Sequence, residues 1–158
     1  MADARIFEDL KADHDRHRAL LATLADRAAG NRESLFETLR IEVTAHAAAE
    51  EESLYATMLA NPDLRDEARH SVSEHKEIDD FFGELAELDF AAAEWEAKFA
   101  ELRHRYEHHI DEEEEEMFPS AARLLTADDE KLLAEIFERR KPKELTRAEN
   151  ATPGDERE

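Results

Sequence analysis

His46-Ala47-Ala48-Ala49-Glu50, continued by Glu51-Glu52-Ser53-Leu54-Tyr55, sets an imidazole and a carboxylate one helical turn apart on one face. The pattern recurs at His109-Ile110-Asp111-Glu112-Glu113. In both places the pair lies on a stripe of apolar residues with alternating three- and four-residue steps, the spacing by which a helix buries one side in a bundle. One stripe runs Phe36, Leu39, Val43, His46, Glu50, Leu54; the other runs Trp95, Phe99, Leu102, Tyr106, His109, Glu113, Met117. Polar groups able to bind cations therefore sit where a bundle keeps its core.

Two further segments carry the same periodicity. The first has Phe7, Leu10, His14, His17, Leu21, Leu24 and Ala28; the other has Leu64, Ala68, Ser71, His75, Ile78, Phe82 and Leu85. Each of the four helices presents histidine inward. By contrast His70, His104 and His108 fall off the stripes, as do Glu112, Glu114, Glu115 and Glu116, so these read as surface groups. Trp95, Phe82 and Met117 read as core, and Tyr106 as a packed ring with a bonded hydroxyl.

Helix-stopping residues at Gly30-Asn31, Asn61-Pro62-Asp63, Leu88-Asp89-Phe90 and Pro119-Ser120 delimit four long helices. Register supports an antiparallel arrangement. His14 is 16 positions before Gly30 and His46 is 16 after it, so the two sit level. His46 is 16 before Pro62 and His75 is 13 after it, a mismatch of roughly 4–5 Å at 1.5 Å per residue. His109 meets the others if Leu88–Ala92 forms a connection before the fourth helix. A short fifth helix is expected from about Ala127 to Arg140, because Thr126 and Asp129 have capping-box spacing. The expected architecture is all-α: an up-and-down antiparallel four-helix bundle with a short C-terminal fifth helix over 1–140, and a polar, disordered tail over 141–158.

Composition narrows the chemistry. The chain has 158 residues, 41% of them apolar, with 3 Gly and 4 Pro, which suits one helical domain. It has no cysteine, so thiolate sites and iron–sulfur clusters are excluded and a metal would take N and O ligands. A net charge of −21 disfavours nucleic acid and anionic membranes as partners. With no signal-like N-terminal stretch and no apolar run of spanning length, the expected location is the cytoplasm.

Buried carboxylates cost several kcal/mol unless paired or coordinated, and no Lys or Arg lies on the four central stripes at the level of Glu50 and Glu113. Cations would supply the missing charge, and imidazole with carboxylate suits iron, manganese or zinc. If both glutamates bridge two metals and four histidines divide two to each, every metal has four protein donors. An oxo or hydroxo bridge makes five, which leaves one octahedral position open.

These residues resemble the hemerythrin-like (HHE cation-binding) domains, bacterial type. The resemblance spans about Ile6 to Pro119 and rests on Asp13-His14, His46 through Tyr55, Glu74-His75 through Asp79, and His108-His109 through Glu113 to Met117-Phe118-Pro119. It implies a di-iron site with His14, His46, His75 and His109 as terminal ligands and Glu50 and Glu113 as bridges. His17 and Asp79, one turn after His14 and His75, are candidates for a further ligand. The oxygen-carrying hemerythrins have a histidine where this chain has Asp79 and an aspartate where it has Glu114, so the resemblance is to the bacterial proteins. It implies a non-haem di-iron protein that binds or senses O2 or NO or buffers iron. Alternatives are a di-iron enzyme acting on peroxide or NO, and a metal-stabilised interaction module, in either case a monomer or weak homodimer.

Overall fold

The computed structural model describes residues 5–26 and 30–154; Ala28, expected at the end of the first stripe, lies outside them. Helix α1 spans Ile6–Ala25, α2 Arg32–Glu50, α3 Ala56–Ala60, α4 Arg65–Glu87, α5 Ala93–Glu112, α6 Phe118–Leu124 and α7 Ala127–Asn150. Two π-helical turns, Glu51–Tyr55 and Glu113–Met117, join α2 to α3 and α5 to α6 without a break. The bundle thus has four rods: α1, α2 with α3, α4, and α5 with α6. Short connections make sequential rods antiparallel, and α1 closes the ring by packing on both α2 and α5.

Every described stripe position expected from the sequence is buried. The apolar residues form two clusters rather than one. One gathers Leu10, Leu54, Met58, Leu64, Phe118 and Phe137; the other gathers Leu24, Leu39, Phe82, Trp95, Phe99 and Ile110. Each fully buried Leu or Phe contributes roughly 1.5–3 kcal/mol. Between the two clusters lies a polar layer that contributes no such term.

Connections follow the local chemistry. Asn61 Oδ1 accepts from the Asp63 amide at 2.9 Å, and Asp89 Oδ1 from the Ala91 amide at 3.0 Å, the Asx turns that end α3 and start the link to α5. Thr126 Oγ1 accepts from the Asp129 amide and Asp129 Oδ2 from the Thr126 amide, which is the expected capping box of α7.

Two expected breaks are absent. Pro119 does not end the fourth rod, because it sits in the first turn of α6, where a missing N–H costs little; the break falls at Leu125. The fifth helix does not stop at Arg140, and residues 141–150 are not a frayed tail. Helix α7 continues through Pro142 to Asn150. An interior proline costs about 3 kcal/mol, and tertiary anchors on both sides of it offset this. Lys141 Nζ donates to Asp13 Oδ2 at 2.8 Å, Ala148 is buried, and the buried Arg40 donates to the Ala148 carbonyl at 3.1 Å. Beyond α7 the chain lies against α4, where a Cβ on Gly83 would stand 3.2 Å from the Gly154 Cα. Among the described residues no helix is long and apolar enough to cross a membrane.

Candidate metal centre

The polar layer brings together all six residues singled out by spacing. His14, His46, Glu50, His75, His109 and Glu113 are buried, none more than 3% exposed. The imidazoles meet in two edge-on pairs, His14 with His46 at 5.0 Å between ring centroids and His75 with His109 at 4.9 Å. Glu50 stands between the pairs: its Oε1 is 3.8 Å from His46 Nε2 and 3.4 Å from His75 Nε2. Glu113 Oε1 lies 2.5 Å from His109 Nε2. Donor atoms converge in two groups, His14, His46 and Glu50 on one side and Glu50, His75, His109 and Glu113 on the other, so Glu50 is common to both.

Four carboxylates surround this centre. Each histidine donates its Nδ1–H to a carboxylate: His14 to Glu114 at 2.7 Å, His46 to Asp13 at 2.8 Å, His75 to Glu51 at 3.0 Å and His109 to Glu74 at 2.9 Å. The pairing is cyclic. Helix α1 supplies the carboxylate for the histidine of α2, the first π turn for that of α4, α4 for that of α5, and the second π turn for that of α1. Each of these acids is the chain neighbour of an inward residue: Asp13 of His14, Glu51 of Glu50, Glu74 of His75, Glu114 of Glu113. Glu114, a surface group by its periodicity, lies one residue off the stripe, but α1 is close enough for it to reach His14 and Arg18. Repeated acids beside inward residues were the available signal.

The ring fixes each tautomer. With Nδ1 protonated and bonded outward, a neutral imidazole presents a lone pair at Nε2, and ionised carboxylates offer only lone pairs. With all four imidazoles neutral the centre is a cluster of acceptors, and His75 Nε2 and His109 Nε2, 3.1 Å apart, can bond only if one of them takes up a proton. His14 Nε2, His46 Nε2, both carboxylate oxygens of Glu50 and Oε2 of Glu113 are buried without a hydrogen-bond partner. Protons can relieve the conflict only in part. Burial and the Glu113 charge push the Glu50 carboxyl up. Burial opposes charging of His109, but Glu113 and Glu74 overcome it and push that imidazole up to about 10. Burial likewise opposes ionisation of Glu113, and the His109 charge holds its carboxyl well below the usual range. On the other side, burial lowers His46.

The π turns shape the walls. An i→i+5 turn adds one residue per turn, so two successive side chains can face inward after each HxxxE pair. Leu54 and Tyr55 are both fully buried, and Met117 and Phe118 nearly so. Tyr55 stacks on His75 at 5.4 Å and Phe118 on His14 at 6.0 Å. The sequence stripes stopped at Leu54 and Met117 and missed both aromatics.

Neither additional ligand candidate joins the converging groups. His17 is buried, with its Nδ1 2.8 Å from the Tyr106 hydroxyl, and burial pushes its pKa well down. Asp79 is buried one turn along from His75. His70 and His108 are exposed, as the sequence indicated.

Comparisons with known proteins agree with this fold. A crystal structure of a hemerythrin HHE cation binding domain-containing protein from Mycobacterium kansasii superposes with a TM-score of 0.80 at 22% identity, covering 91% of this chain and 89% of that one. No curated protein matches the sequence. The profile of the hemerythrin HHE cation binding domain matches residues 5–121, ending before α7. The chain therefore belongs to the hemerythrin HHE cation-binding domain family.

Proposed function

We propose that this protein holds two iron ions at the centre and uses them to bind or sense O2 or NO, or to buffer iron. The observation that carries the reading is the convergence of four buried imidazoles and two buried carboxylates in two groups that share Glu50, with His14 Nε2, His46 Nε2 and both Glu50 oxygens left without a hydrogen-bond partner. His14 and His46 would hold one ion and His75 and His109 the other, with Glu50 and Glu113 shared. The two buried carboxylates at the middle of a stable bundle need compensating charge, and the outer carboxylates aim each Nε2 inward in the manner of metal-binding histidines. Iron so held would supply a redox-active centre able to take up a small ligand such as O2 or NO. The chain supplies the rest: the aromatic rings of Tyr55 and Phe118 exclude water, and the two apolar clusters close the bundle above and below.

The test is anaerobic reconstitution with Fe(II), metal counting, and stopped-flow spectra on mixing with O2, NO and hydrogen peroxide, with peroxide and NO consumption followed in parallel. Two irons per chain and stoichiometric spectral changes with O2 or NO are expected. At most one metal per chain after full reconstitution refutes the dinuclear reading. Multiple turnovers of peroxide or NO would replace binding with catalysis.

A further inference from the structure

A cleft of about 280 Å³ opens between α4 and the second π turn and runs inward to His109 and Glu113. These two residues are almost fully buried, so they mark its deep end. His70, 61% exposed, marks the outer end. Halfway stands Glu74, whose Oε1 faces both ways: it accepts from His109 Nδ1 at 2.9 Å and lies 3.5 Å from His70 Nε2. Glu112 completes a group with His70 and Glu74 whose donor atoms all lie within 4.8 Å of one another. Asp66, Glu67 and Glu116 add negative charge around the cleft.

An acidic rim alone means little in a chain of net charge −21. The second observation is Glu113 at the deep end. It is 1% exposed and lines the cleft; its Oε1 faces His109 Nε2, while its Oε2 has no hydrogen-bond partner. The path thus leads from a group of side chains near the surface able to bind a cation to the buried converging set.

We propose that this cleft is the way in for divalent cations, with His70, Glu74 and Glu112 as a transit site at its mouth. The proposal rests on the dinuclear reading above. One imidazole and two carboxylates suit Fe(II), Mn(II) or Zn(II). Two of the three groups reach solvent, so a cation there keeps water ligands and is released readily, while the buried set inside holds it. Concentrated negative charge at a cleft mouth raises cation capture by focusing the field.

The test follows Co(II) uptake by the full-length apo protein, using stopped-flow absorption and final metal counts. His70→Ala/Glu112→Gln is compared with wild type and with Glu94→Gln, an exposed position that removes one charge elsewhere. The double variant is expected to load about tenfold more slowly while reaching two metals per chain and the wild-type melting temperature when loaded. Glu94→Gln is expected to load at the wild-type rate. Equal rates for all three chains, each with two metals, overturn the route and leave the centre standing. Slow loading with metal lost at equilibrium also overturns it, since the groups then hold rather than pass the ion. Failure of wild type itself to take up two metals overturns the centre and the route with it.

Discussion

Replacing Asp13 separates the two halves of the proposed centre. Its Oδ2 accepts from His46 Nδ1 and from Lys141 Nζ, both at 2.8 Å, and its other oxygen pairs with Arg16. Burial opposes its ionisation, but His46 and Lys141 hold the carboxyl well below the usual range. Asp13→Ala leaves the His46 ring free to rotate and removes the charge that raises its basicity. Loss of such an outer carboxylate costs about 10–100-fold in metal affinity, or about 1.4–2.7 kcal/mol. Only the ion held by His14 and His46 should lose it, because Glu51 and Glu74 still orient His75 and His109. Chelator-competition titration with Co(II) should resolve two binding steps, one weakened by that factor and one changed by less than about twofold. Asp13→Asn keeps an acceptor without the charge and should lie between. Two unchanged steps, or two weakened equally, would refute the division of the centre into one ion per histidine pair.

Three further outcomes are expected. Glu113→Ala should leave at most one metal per chain, Glu112→Ala should keep both, and Glu114→Ala should keep both with affinity about tenfold weaker, since His14 loses its acceptor; metal counts after dialysis against a chelator rank them, and equal retention would undo the register of α5. Metal at 100 times its Kd should stabilise the fold by about 2.7 kcal/mol, seen as a higher melting temperature and slower amide exchange around His14, His46, His75 and His109, with little change near Gly30; identical melting and exchange in apo and loaded protein would contradict a site shared by four rods. Asp9 of α1, through burial first and then its contact with Glu138 of α7, has its carboxyl pushed up from 3.8 to about 7. A raised folded-state pKa means a contribution complete below 3.8 and lost as pH rises through 7, so amide protection of α7 should fall as pH rises from about 4 to about 7, and Glu138→Gln should flatten that dependence.

The sequence by itself determined the helices, their inward faces and the level at which they meet. Three- and four-residue spacing records which side of a helix leaves water, and a histidine or glutamate on that side has no local reason to be there. Hence Glu113 was separable from Glu112 and Glu114 within an acidic run, and counting from Gly30 and Pro62 brought His14, His46 and His75 level. The capping box at Thr126 was equally legible, because both partners lie within one turn.

Only the tertiary structure decided what lies one step off the stripe. Asp13, Glu51, Glu74 and Glu114 are rotated about 100° from an inward neighbour, a direction that means solvent on an isolated helix and a neighbour's histidine in a closed ring of four rods. Helix α7 is the same case on a larger scale. Local composition and Pro142 end it at Arg140, while Asp13 and Arg40, more than 100 residues away in sequence, hold it to Asn150. Periodicity reports burial along one chain segment; it carries no information about which group from another segment fills the space opposite.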